Sequence, residues 1–371
     1  MLERNMRKAP VLALVAVMAL LALSLGTLVS RAGEETSQDA LAEEIARASA
    51  LLQSHTETQG LWAETRQAAQ PVLARAEKDL HAGRRLVAMQ RLASVKASLA
   101  AASYLERSAA QGQDVAAFEA EWARMGGVLR AGLGKPSSTA FEGVGPAAVR
   151  ALAEGTMPQV RLYYESSLEY GRASMPGDGL YYLAAAQARQ EAVALYRDLA
   201  TRTERRPPPL RALAAELDGL EADLLKAYRP PASIDRHGEF IGASAALKEA
   251  RELDAAGLRH GALLKYLQAA QRIAPLSSEL PALDGEALAS RLAEFDRRLA
   301  AGEVDHSLGR LFLETAQADL GDAEPGTIPP SAVWIAADGL PRYFAALEPA
   351  RPAAPKPAPQ VTVTLVRWPY T

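Results

Sequence analysis

Six of the eleven tyrosines fall between positions 163 and 196: Tyr163, Tyr164, Tyr170, Tyr181, Tyr182 and Tyr196. Tyrosine combines an apolar ring with a polar tip, so a cluster of them suits a ligand groove or a protein interface. Arg161, Arg172 and Glu165 stand beside them. The expected ligand- or partner-binding surface is therefore Tyr163, Tyr164, Tyr170, Tyr181, Tyr182, Arg161 and Arg172, on two helices joined by a turn at 175–179. The competing reading is that the rings pack the helix pair and leave their hydroxyls at its rim. Other chemistry is sparse. The five histidines, His55, His81, His237, His260 and His306, include no pair at metal-ligand spacing, and the chain has no cysteine. Asp319, Asp322 and Glu324 lack the number and spacing of calcium ligands. There is no phosphate-binding glycine loop after a strand and no Gly-x-Ser-x-Gly elbow. No metal or cofactor is expected.

One stretch has an enzyme-like pattern. Glu165-Ser166, then Leu168, Ser174, Gly177, Gly179 and Leu180, resembles the core motif of lytic transglycosylases, exported helical enzymes that cleave peptidoglycan with a single Glu acid. The resemblance covers about 18 residues and implies that Glu165 is a general acid with a pKa raised by an apolar setting. The turn is one residue shorter than the family's. Tyr181-Tyr182 stand where Met-Gln is usual, and no Asn follows Asn5 to supply the later Tyr-Asn signature.

These residues must be positioned by helices. Ala, Leu, Arg and Glu dominate the chain, and all are strong helix formers. Leu41, Ile45, Ala48 and Leu52 recur on one helical face. So do Leu210, Leu213, Leu217, Leu220 and Leu224, and Leu288, Leu292, Phe295 and Leu299. Each stripe must be buried against a neighbour. Short connections make successive helices antiparallel. Arg206-Pro207-Pro208-Pro209 is expected to start a helix, Pro230-Pro231 to end it, and Pro71 to open or kink another. Gly257, Gly261, Ala262, Tyr266, Ala269 and Pro275 resemble the second half of a tetratricopeptide repeat, with the proline one residue late. Gly83, Ala88 and Leu92 are a weaker echo. The fold expected is all-α, an antiparallel helical-hairpin array, either tetratricopeptide-like or an irregular α-solenoid.

The two ends differ from the middle. Arg4, Arg7 and Lys8 precede an uncharged run over 9–30, closed by Arg31. This is a signal peptide or a retained signal anchor, and both place the body outside the cytoplasm. Ser30 and Ala32 favour cleavage; the length of the run favours an anchor. Pro349, Pro352, Pro355, Pro357 and Pro359 mark a semi-rigid spacer. Val361, Val363, Leu365 and Trp368 then lie on a segment rich in β-branched residues, read as a strand. It pairs either with Ala332-Val333-Trp334-Ile335 or with a partner's sheet. The organisation expected is a signal or anchor at 1–32, a helical region at 33–131, a loop at 132–146 and the hairpin array at 147–320. A loop with a short helix follows at 321–348, then the spacer at 349–360 and the strand at 361–371.

The net charge is −3, and it is more negative once the basic leader is set aside, which argues against nucleic acid as a partner. The function expected is a non-enzymatic interaction or scaffold protein of a bacterial cell envelope. Its partners would be an envelope protein and, through the N-terminal segment, the membrane. The alternatives are a peptidoglycan-active enzyme using Glu165 and a ligand-binding protein with a Tyr-rich groove.

Overall fold

The apolar stripes are the buried faces of helices. The computed structural model describes residues 40–133, 146–173, 175–200, 205–231, 234–277 and 283–347, and their regular structure is helical. Helix α1 (40–54) buries Leu41, Ile45, Ala48 and Leu52. It is followed by α2 (Leu61–His81), α3 (Arg85–Arg107), α4 (Val115–Leu133), α5 (Ala147–Arg172) and α6 (Pro176–Asp198). Then come α7 (Ala214–Ala227), α8 (His237–Ala255), α9 (Arg259–Ser277), α10 (Gly285–Ala300) and α11 (Ser307–Asp322). The described chain closes with α12 (Pro330–Trp334), a π turn (Ile335–Gly339) and α13 (Leu340–Leu347).

Three hairpins form the body: α2 with α3, α5 with α6, and α8 with α9. Gly83 (φ 75°) and Gly257 (φ 76°) turn the first and last of these in the left-handed region, where a side chain is strained. The hairpins dock edge to edge, α3 on α6 and α5 on α9, giving the lateral order α2, α3, α6, α5, α9, α8. Small residues permit the close crossings. A Cβ on Gly261 of α9 would lie 2.6 Å from the Cβ of Glu154 and 2.9 Å from the backbone N of Gly155. Helix α11 packs across α5 and α3. One large core joins α1–α3, the first half of α5, the last turns of α6 and α7–α13. A smaller one, with Tyr104, Phe118, Met125, Leu129 and Leu183, sits where α4 packs on α5 and α6.

Most helix starts have no capping side chain of their own, and at α3, α5, α7 and α9 the caps come from distant parts of the chain. The backbone N–H groups of Leu86 and Val87, opening α3, donate to Glu314 Oε2 of α11 at 2.8 and 3.2 Å. Gly261 N–H, opening α9, donates to Glu154 Oε2 of α5 at 2.7 Å. Ala147 N–H, opening α5, donates to Asp305 Oδ2 at 2.5 Å, and Ala148 N–H to Ser307 Oγ at 2.9 Å. Leu213 N–H, ahead of α7, donates to both oxygens of Asp254 at 3.2–3.3 Å. A helix start leaves orphan N–H groups and a partial positive charge, so a carboxylate there stabilises both. Because these carboxylates belong to other helices or, for Asp305, to the segment just ahead of α11, they also fix how the helices meet.

Two sequence expectations need correction, and a third is narrowed. The prolines at 207–209 do not open a helix: α7 begins at Ala214. Each residue before a proline is pushed out of the α region, so the stretch stays extended. Its first residue, Arg206, makes an isolated β-bridge with Val304. Pro71 does not open α2 but lies inside it, which keeps the interior alternative of the two expected for it. Ala332, Val333, Trp334 and Ile335 are helical rather than a strand. Pro330 at the first helical position starts α12. Trp334 is buried beside Phe312 with a ring separation of 6.5 Å, so burial on all sides overrides the β preference of Val and Ile. These residues are therefore not an internal strand partner for 361–368, which lie outside the described residues, as do 1–39 and the spacer. Among the described residues no helix is long and apolar enough to cross a membrane. Of the expected loop at 132–146, Gly132 belongs to α4, and 134–145 lie outside the description.

Candidate functional site

Helix α5 carries Tyr163 and Tyr164 on adjacent stripes, and that one-residue step sends them to different places. Tyr164 stacks on Trp122 of α4 with ring centroids 4.8 Å apart. Trp122 Nε1–H donates to the Tyr164 carbonyl at 3.2 Å, and the Tyr164 hydroxyl donates to the Trp122 carbonyl at 3.3 Å. Gly126 makes the approach feasible, since a Cβ there would lie 2.1 Å from the Tyr164 hydroxyl oxygen. Tyr163 instead faces α6, its ring 6.1 Å from that of Tyr182. Tyr170 and Tyr182 stack at 4.4 Å, and Tyr181 meets Tyr182 edge-on at 6.4 Å. The Arg189 guanidinium lies 5.2 Å from the Tyr163 ring centre. Burial removes Tyr196 from the group and pushes its hydroxyl pKa up. Four of the expected residues thus form one aromatic stack, and Tyr164 belongs to another face.

The stack stands at the mouth of a groove. One hollow of about 470 Å³ lies between α3, α5 and α6, floored by Ser94, Ala97, Ser98, Ala185 and Ala188 and edged by Tyr163 and Tyr181. A second, of about 570 Å³, lies between α5, α8 and α9 and carries Lys265, Gln268, Gln271 and Arg272. The two share Gln90, Thr156, Gln159, Tyr163 and Tyr196, so they are contiguous across α5. Small side chains make the floor deep, and glutamines and serines line it with both donors and acceptors. Its cations are partly engaged: Lys265 Nζ lies 2.6 Å from Glu249. The glutamines and serines were missed in the sequence; the signal available was the run of small residues along α3 and α6.

The remaining expected residues are surface groups. Arg161 pairs with Glu252 at 2.8 Å, and Arg172 with Glu119 at 2.7 Å. The Glu165 side chain is 65% exposed, with Arg161 Nε at 3.8 Å. The role of general acid implied by the transglycosylase resemblance requires an apolar setting, and Glu165 has none. Val361, Val363, Leu365 and Trp368 lie outside the described residues.

The groups with perturbed acidity are elsewhere. Glu154 is fully buried, paired with Arg150 at 2.8 Å, and burial raises its pKa. Burial pushes Glu314 up to about 7, against the two N–H groups it accepts from. Burial lowers His260 to about 3, and neither ring nitrogen has a hydrogen-bond partner among the described residues. Buried titratable groups often mark active sites. Here the carboxylates cap helix starts, which accounts for them structurally. Among the described residues no group of three or more His, Asp or Glu side chains could hold a metal ion. No protein-family model, curated protein or solved structure matches the chain.

Proposed function

We propose that this chain is a non-enzymatic binding scaffold of a bacterial cell envelope, an irregular helical-hairpin array that holds an extended segment of a partner protein in the groove across α3, α6, α5, α9 and α8. The observation that carries this reading is the continuity of the two hollows over Gln90, Thr156, Gln159, Tyr163 and Tyr196. An extended peptide needs alternate side-chain pockets and donors and acceptors for its backbone. Small floor residues, glutamines and serines supply both, and the tyrosine stack gives a rigid aromatic anchor at one end. The envelope placement rests on the basic leader and the uncharged run over 9–30. The segment at 361–368 serves in this reading as a second, tethered contact, which raises avidity when both engage.

The test is affinity capture from solubilised envelopes with the full chain, a Ser98→Trp variant and a chain lacking 349–371. Ser98 is exposed on the groove floor, so a tryptophan blocks the groove without entering the core. The expected result is a partner captured by the full chain, lost with Ser98→Trp and weakened without the tail. Capture of the same partner by Ser98→Trp at full yield would contradict a groove-bound partner.

A further inference from the structure

A separate hollow lies on the other stripe of α5, enclosed by α4, α5 and the α8–α9 turn. It measures about 290 Å³, at the small end of ligand sites. Its wall is apolar: Leu129, Met157, Val160, Leu253 and Leu258. The polar groups are confined to the rim. Arg161 and Glu252 neutralise each other at 2.8 Å. Arg130, exposed in the last turn of α4, makes no ion pair among the described residues. Tyr164 lines the hollow as well, its hydroxyl donating to the Trp122 carbonyl. An apolar wall with one uncommitted cation at its edge is complementary to an amphiphile with an anionic head.

We propose that this hollow is a binding site for a short-chain carboxylate amphiphile, its hydrocarbon against Met157, Val160 and Leu253 and its carboxylate at Arg130. At roughly 30 Å³ per water-sized group, the space holds about ten non-hydrogen atoms. That is the size of octanoate, and it is too small for a full-length phospholipid chain pair. The site is independent of the groove: the residues that line it are not shared with either groove hollow.

The experiment uses the full chain in nanodiscs with ¹³C-labelled methionine methyl groups, titrated with octanoate and, separately, with octanol. Met157 lines the hollow; Met89, buried within α3, is the internal control. The expected result is a saturable shift of the Met157 methyl signal with Met89 unmoved. Ala256→Trp fills the hollow from an exposed position and should abolish the shift while leaving the thermal midpoint unchanged. Arg130→Gln, also at an exposed position, should weaken octanoate by up to about fivefold, the range of an exposed charge contact, and leave octanol unaffected. No saturable Met157 shift in the unaltered chain, or a shift that survives Ala256→Trp, would overturn the site. Equal octanoate affinity in Arg130→Gln would overturn the carboxylate assignment.

Discussion

The α5–α6 end and the α5–α9 crossing treat polar side chains in opposite ways. At the crossing, Glu154 is fully buried and satisfied by Arg150 and by the start of α9. At the far end, Tyr170 is 42% and Tyr181 65% exposed, and one stacks on Tyr182 and the other meets it edge-on rather than entering the core. The most chemically suggestive carboxylate by sequence pattern, Glu165, is solvated, while the carboxylates that are buried hold helices together. Buried charge among the described residues reports architecture, and the exposed aromatic surface, which has no such role, is where the proposed groove opens.

The contrast is sharpest when a buried carboxylate is removed. Glu154→Ala removes the buried carboxylate that pairs with Arg150 and leaves the buried Gly261 N–H without its acceptor, and should cost about 3–5 kcal/mol, read as a lower urea midpoint at unchanged slope. A loss below about 1 kcal/mol would mean that the crossing does not depend on this contact. Glu314 gives a pH signature. Its folded pKa of about 7 lies above the ordinary 4.5, so the folded state binds the proton more tightly. That contribution is complete below pH 4.5 and is lost as pH rises through about 7, amounting to about 3 kcal/mol at most. Both N–H donors use Oε2, which leaves Oε1 to carry the proton. Glu314→Gln should remove this falling slope between pH 5 and about 7, and an identical pH profile in the variant would place the titration elsewhere.

Overpacking probes the same crossing from the other side. Gly261→Ala forces a methyl against Glu154 and the Gly155 backbone and should cost about 1–3 kcal/mol. At the aromatic end the expected stability changes are small. Tyr181→Ala should shift stability by no more than about 0.5 kcal/mol while weakening partner capture. Arg172→Ala, whose ion pair with Glu119 is exposed on both sides, should change stability by less than about 0.5 kcal/mol. A large loss of stability in Tyr181→Ala would erase the distinction between the two regions.

Periodicity made much of the fold legible. The stripes at Leu41–Leu52, Leu217–Leu224 and Leu288–Leu299 are buried as their spacing requires, because a helical face that repeats every 3.6 residues has one way to leave water. The 330–335 segment misled because Val, Trp and Ile favour strands, whereas the proline ahead of them and all-round burial decide for helix. The caps were not legible at all: Glu154 and Glu314 lie 107 and 228 residues from their partners, and local spacing holds no trace of such contacts. What the sequence does offer is a glutamate within an apolar stripe, as in Ala151-Leu152-Ala153-Glu154, where a solvated residue has no place. The tyrosine cluster was visible as composition, but its division by helix α5 into a stack and a separate rim depends on a one-residue step between Tyr163 and Tyr164.

The most direct measurement is site-specific photocrosslinking in living cells, with a photoreactive phenylalanine analogue placed at Ala185 on the groove floor or at Leu225 on the outer face of α7. Both positions sit on helices and neither is in the core. A groove-bound partner predicts one discrete crosslinked product at Ala185 and none at Leu225. A product at Leu225 with nothing at Ala185 would contradict the groove as the binding surface.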